Sequence, residues 1–238
     1  MWSKEEQDNF VKILTECRPQ LSEVQKQLLL EYALYVVFEN KKINLTAIDK
    51  ADEFAVKHII DSLMALDYVK GKRIIDIGSG AGMPGLIWAI GNQDTEYVLL
   101  DSLNKRVQFL KQAIEKLHLN NVEATHCRAE DAAQNSLFRE KYQLATARAV
   151  AKLPLLLEYC LPFVAVGGRF VAFKGLDIEE EVSLSKNALE VLGGEVEDII
   201  NYQLPLNMGH RTLVIVKKII KTPDKYPRKA GTPAKFPL

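Results

Sequence analysis

The sequence predicts an α/β protein with a doubly wound, mostly parallel sheet, preceded by a small helical region. Three observations carry this. Short β-branched runs alternate with helical periodicity from residue 72 onward, a glycine-rich turn closes the first of those runs, and helix-capping signals crowd the first 40 residues. At 238 residues the chain suits one main domain with a smaller appendage, and its 47% hydrophobic content can fill a sizeable core.

Residues 1–68 read as helices. Ser3 and Glu6 make a capping box ahead of Phe10, Ile13, Leu14 and Cys17, which share one face at i, i+3, i+4, i+7. Ser22 and Gln25 cap a second helix, with Val24, Leu28, Tyr32 and Tyr35 as its expected buried face. Strands are then expected at 73–77, 97–101, 122–127, 143–147, 169–173 and 212–216. Between them Val107, Leu110, Ile114 and Leu117 give one helical face, and a helix from Ile178 stops at Gly193-Gly194. Residues 69–220 form the main domain on this reading.

Composition narrows the class. Cys17, Cys127 and Cys160 have no C-x-x-C spacing, so neither a metal site nor a redox pair is indicated. The N-terminus carries Lys4, Glu5, Glu6 and Asp8 in place of an apolar leader, and no run of about 18 apolar residues occurs, which reads as a soluble, cytoplasmic protein. The 31 basic and 31 acidic residues balance, but unevenly. Residues 217–238 hold Lys217, Lys218, Lys221, Lys225, Arg228, Lys229 and Lys235 against Asp224 alone, a net of +6, leaving −6 on the rest. Four of the nine prolines fall there too, so residues 221–238 read as an extended basic arm directed at a polyanion.

The strongest local signal is Ile74-Ile75-Asp76-Ile77-Gly78-Ser79-Gly80-Ala81-Gly82-Met83-Pro84-Gly85. An apolar strand runs into glycines at every second position, and Pro84 suits the first turn of the next helix. Such a turn offers bare backbone to a ligand at the carboxyl edge of a sheet. Gly80-x-Gly82-x-x-Gly85 also matches the dinucleotide fingerprint, so an NAD-dependent oxidoreductase stands as the alternative. Asp76 tips the balance, because an acid two residues before the first glycine suits an ammonium or sulfonium group better than a pyrophosphate. S-adenosylmethionine carries both. Asp101, 19 residues after Gly82, is placed to take the hydroxyls of an adenosine ribose from either cofactor. After the third strand, Ala129 and Glu130 offer a backbone N–H and an acid to an adenine edge.

Several elements in order resemble one family over nearly the whole chain. They are Asn44-Leu45-Thr46, His58-x-x-Asp61-Ser62, the Asp76 to Gly85 turn, Leu100-Asp101-Ser102, Lys105-Arg106, Arg128-Ala129-Glu130, Ala147-Arg148-Ala149, Lys174-Gly175 and His210-Arg211, with the tail Tyr226-Pro227-Arg228-Lys229-x-Gly231-Thr232-Pro233. Together they look like the small-subunit ribosomal RNA guanine-N7 methyltransferases, the RsmG family. The resemblance implies a Rossmann-like fold and an S-adenosylmethionine site lined by Gly78, Met83, Ala129, Glu130 and Arg148, with Asp101 at the ribose. It implies a guanine in the 530 loop of 16S rRNA as target, in free rRNA or a 30S particle. Met83 stands where relatives often carry Phe or Leu, which keeps the apolar contact.

Guanine N7 has an exposed lone pair, so methyl transfer to it is an in-line displacement that needs orientation and no general base. No catalytic base or covalent intermediate is therefore expected. N7 cannot be reached inside a deep A-form groove, so the base must come from a loop or be flipped out. Lys174 and Arg211, near strand ends, are assigned to RNA backbone or guanine O6, and Arg228 and Lys229 of the arm to phosphates, while His58, with Asp61 at i+3 on a helix, reads equally as an RNA contact or as half of a helix-surface pair. Thr46, Ser62 and Lys105 read as structural. A monomer is expected, with neither membrane nor DNA as partner.

Overall fold

The computed structural model describes residues 1–176 and 178–238. The chain opens with α1 (Lys4–Cys17) and α2 (Glu23–Ile43), then α3 (Ala51–Phe54), a π-helical stretch (Ala55–Ile60) and α4 (Asp61–Leu63). Both capping boxes form: Glu6 N–H donates to Ser3 Oγ at 3.2 Å while Ser3 N–H donates to Glu6 Oε2 at 2.6 Å, and Ser22 with Gln25 repeats the pattern. The sheet follows as β1 (Arg73–Ile77), α5 (Gly85–Gly91), β2 (Glu96–Asp101), α6 (Asn104–Lys116), β3 (Val122–His126), α7 (Ala129–Ala132), β4 (Tyr142–Arg148), α8 (Leu153–Cys160) and β5 (Val164–Lys174). After α9 (Glu179–Leu184) and α10 (Lys186–Leu192) come β6 (Gly194–Gln203), β7 (His210–Lys218) and the short α11 (Thr232–Lys235).

The seven strands lie in the order β3-β2-β1-β4-β5-β7-β6. The first five are parallel, and β7 runs antiparallel between β5 and β6. Successive side chains alternate between the faces. Ile75, Ile77, Val98 and Leu100 join Leu153, Leu157, Ala188 and Leu192 of α8 and α10 in one core. On the opposite face the apolar stripes of α1, α2, α5 and α6 form a core continuous with Leu99, so the N-terminal helices pack into the body of the protein. The strand order reverses between β1 and β4, the place where open α/β sheets bind ligands. No helix among the described residues is long and apolar enough to cross a membrane.

Three local expectations are corrected. Of the expected α2 face, Tyr32 is buried and Leu28 and Tyr35 are partly buried against the core, but Val24 is 69% exposed, and Leu29, Leu30, Ala33, Val36 and Val37 complete the buried stripe. β6 escapes a search for apolar alternation because most of its residues face solvent at the sheet edge. Pro84 stands just ahead of the first helical residue, Gly85, and not within the first turn.

The tail is not a free basic arm. Thr222, Tyr226, Pro227 and Pro233 are buried, and 232–235 are helical. The Arg139 guanidinium donates to the carbonyls of Thr222, Pro223 and Tyr226, and the Gln134 amide donates to those of Asp224 and Pro227. Arg228, expected to grip RNA, is instead a clasp: its Nη2 donates to Glu158 Oε2 at 2.6 Å and to Phe236 O at 2.7 Å. Glu158 lies on α8 at 1% exposure, so its charge demands this partner. Lys221, Lys225, Lys229 and Lys235 remain exposed. Prolines here restrict the chain to a path that lies flat on the body, which composition cannot distinguish from a path into solvent.

Candidate active site

β1 delivers the chain to the carboxyl edge of the sheet, where Gly78, Gly80 and Gly82 take φ of +71°, +59° and +98°. Ordinary side chains avoid this left-handed region. The N–H groups of Gly78 and Ser79 both donate to Leu100 O, at 2.8 and 3.1 Å, and tie the turn to the end of β2. Gly85 N–H, opening α5, donates to Asp76 Oδ2 at 2.9 Å. A Cβ on Gly85 would stand 2.8 Å from Asp76 Cβ and 2.5 Å from Leu99 Cδ2, so glycine is what lets α5 sit this close to β1 and β2.

A cavity of about 550 Å³ opens above this turn, a volume in the usual range for a small-molecule site. Gly78, Ser79, Gly80, Ala81 and Met83 line one side. Thr46, Lys57, His58, Arg148, Lys174 and Arg211 line the rest, with Arg106 beside them. Seven of the residues singled out from the sequence thus meet at one cavity: Gly78, Gly80, Met83, Arg148, His58, Lys174 and Arg211.

The others are placed differently. Gly82 serves packing, since a Cβ there would meet Leu86 Cβ at 2.9 Å. Asp76 is 1% exposed and lies beneath the turn, outside the cavity lining, because its carboxylate holds the start of α5. Burial pushes its pKa up to about 7 against the opposing pull of the Gly85 N–H. Asp101 is also buried; Gly80 N–H donates to its Oδ2 at 2.9 Å, Leu103 N–H to its Oδ1 at 2.8 Å, and Arg106 Nη1 stands 3.7 Å from Oδ2. Ala129 and Glu130 open α7 at the same edge of the sheet but outside the cavity lining, and Glu130 Oε1 accepts from Gly231 N–H at 3.1 Å. Arg228 and Lys229 also fall outside the lining.

The sequence reading missed the cluster that holds Arg148. Its Nη1 donates to Asp61 Oδ2 and to Ser62 Oγ, both at 3.3 Å. Tyr202 OH, from the unanticipated β6, donates to Asp61 Oδ1 at 2.6 Å, and Arg211 Nε lies 4.0 Å from Oδ2. Asp61 is therefore no helix-surface partner for His58; at 3% exposure it is the buried counter-charge of the site. His58 Nδ1 lies 3.5 Å from Arg148 Nη2, and its Nε2 lies 2.7 Å from Thr46 Oγ1. Burial first and the Arg148 charge second push the imidazole down to about 3, so it is neutral. With Nδ1 accepting from Arg148, the Nε2 proton goes to Thr46. Lys57 and His58 sit on the π-helical stretch, a distortion that frequently marks functional sites. The only sequence signal for Asp61, Ser62 and Thr46 was their membership of the resembling elements. Lys174 is also tied down: its Nζ donates to Ala151 O at 3.0 Å and pairs with Glu181 at 2.6 Å.

The donor set fits S-adenosylmethionine. A Cβ on Gly80 would meet nothing closer than Gly78 O at 3.9 Å, so the turn presents open backbone to the cavity.

Comparison with known proteins agrees. The family model described as GidB, rRNA small subunit methyltransferase G, matches residues 25–209. Ribosomal RNA small subunit methyltransferase G of Acetivibrio thermocellus is 49% identical over 201 residues, covering 84% of this chain and 83% of that protein. Its counterpart in Lactobacillus acidophilus is 44% identical over 236 residues, covering 97% and 98%. In fold, the chain is similar to M. jannaschii TYW2 in complex with AdoMet, with a TM-score of 0.52 and 14% identity over 68% of this chain and 76% of that one. It is likewise similar to a predicted O-methyltransferase from Agrobacterium tumefaciens, with a TM-score of 0.52 and 19% identity over 69% and 81%. The chain belongs to the rRNA small subunit methyltransferase G family, and its cofactor is S-adenosylmethionine.

Proposed function

We propose that the protein methylates N7 of a guanine in the 530 loop of 16S rRNA, in naked RNA or within the small subunit, acting as a cytoplasmic monomer. Residues 69–220 carry the chemistry, 1–68 wall the substrate side, and 221–238 brace the fold.

One observation carries the choice of N7: every candidate base on the described cavity wall is already committed. Asp61 is held by Arg148 and Tyr202, Glu181 by Lys174 and by Leu153 N–H, and His58 is neutral between Arg148 and Thr46. A site without a free base suits a nucleophile that needs no deprotonation. The bound cofactor supplies an electrophilic methyl group. The chain's own work is to orient: the glycine turn, Met83 and Arg148 hold the donor side, and Lys174 and Arg211 present cations to phosphate or to guanine O6. Asp61 lines the cavity beside Arg148, and its negative charge there stabilises the positive charge that grows on the purine.

Incubation with S-adenosylmethionine, followed by borohydride reduction and aniline cleavage of the rRNA, tests this directly. Strand scission at one guanine of the loop is expected. Methyl incorporation without scission, marking an exocyclic amine or a ribose oxygen, would reject N7. Calorimetry should show binding of S-adenosylhomocysteine and none of NAD.

A further inference from the structure

The tail meets α7, at the carboxyl edge of the sheet, through Gly231 N–H to Glu130 Oε1 at 3.1 Å. Glu130 is 7% exposed and is the second residue of α7, four residues beyond the end of β3. Among the described residues this is the hydrogen bond its carboxylate makes. The contact spans 101 residues of sequence and is held from both sides. Arg228, three residues earlier, is clasped to buried Glu158 by its backbone N–H and its guanidinium. Just beyond, α11 begins at Thr232, with Pro233 buried. Gly231 has φ +84°, which aims its N–H at Glu130 while a Cβ there would meet nothing within 4 Å.

The geometry points to Gly231 as a positioning residue for the methyl-donor site: its N–H sets the orientation in which Glu130 meets the adenosine, so the C-terminal strap tunes cofactor affinity. This rests on the reading of Glu130 as an adenosine ligand. A glutamate carboxylate is placed by rotation about three side-chain bonds, and a fixed donor on one oxygen leaves the other aimed. The tail's effect is then felt first in cofactor affinity and only secondarily in RNA affinity.

The test uses full-length protein and S-adenosylhomocysteine titrated by calorimetry. Gly231→Val strains the left-handed backbone without a clash and displaces the N–H, whereas Gly231→Asn tolerates that conformation and keeps it. The valine variant should weaken binding about three- to tenfold, the range expected for one charge-assisted hydrogen bond. The asparagine variant should bind like the parent, and melting temperatures measured in parallel should move little in either. Equal affinity in all three proteins, or equal weakening in both variants, overturns the proposal. Glu130→Gln separates the two layers: if it leaves affinity unchanged, Glu130 is no cofactor ligand and the reading beneath the proposal fails. If it weakens binding while Gly231→Val does not, only the strap's role fails.

Discussion

Arg228 offers the sharpest test of how the tail works, because an RNA clamp and a structural clasp predict opposite results. Arg228→Ala removes the contacts of Nε with both Glu158 oxygens, at 3.0 and 3.2 Å, and of Nη2 at 2.6 Å, leaving a carboxylate at 1% exposure with only the Arg228 backbone N–H. Breaking a buried ion pair from the side that strands a charge costs about 3–5 kcal/mol. The lower end, about 3 kcal/mol, applies because the Arg228 side chain is 26% exposed and one donor survives. Glu158→Ala is milder, about 1–2 kcal/mol, because the freed guanidinium can turn to water. The double variant should cost less than the two singles added, by at least about 1 kcal/mol. Urea unfolding reads this out: with a slope of about 2–3 kcal/mol per molar, Arg228→Ala should lower the midpoint by about 1 M. The reasoning is refuted if Arg228→Ala unfolds within about 0.5 kcal/mol of the parent. A salt slope for RNA binding that falls in the same variant without loss of stability would restore the clamp.

Further outcomes follow from the cavity. Asp61→Asn removes the counter-charge of Arg148 and should weaken S-adenosylhomocysteine binding roughly tenfold by calorimetry, with Tyr202→Phe having a smaller effect; unchanged affinity in Asp61→Asn would separate Arg148 from the cofactor. Arg211→Ala should lower the salt slope of rRNA binding by about 1, whereas Lys174→Ala should change it less because Glu181 already neutralises that ammonium; filter binding at several salt concentrations decides between them. Stability should also carry two opposing pH terms. His58, depressed to about 3, favours the folded state increasingly as pH rises from about 3 to 6.5, while Asp76, raised to about 7, disfavours it as pH rises from about 4 to 7. The parent should therefore be nearly flat over pH 4–6.5, Asp76→Asn should gain stability with rising pH at up to about 1.4 kcal/mol per unit, and His58→Asn should lose it. Parallel slopes in both variants would show that neither group is perturbed as described.

Much of the framework is legible in the chain itself. Capping boxes at Ser3 and Ser22 act over three residues, so local sequence is enough to place α1 and α2. The central parallel strands are covered on both faces, so apolar runs such as Ile74-Ile75 in β1 and Val98-Leu99-Leu100 in β2 stand out. The glycine turn is legible because left-handed backbone needs glycine wherever it occurs. What the chain alone does not display is which charges meet. Asp61 and Arg148 are 87 residues apart, Glu158 and Arg228 70, and Tyr202 reaches Asp61 across 141. A carboxylate reads the same in sequence whether it faces water or a guanidinium, and only burial decides that it must be paired. Tertiary packing thus turned Asp61 from a surface acid into the anchor of the site, set Asp76 beneath the turn and not in the cavity wall, and laid a basic tail against the body through a buried Glu158. Local propensity is written residue by residue, whereas the electrostatic partners of a site exist only once distant segments exclude water between them.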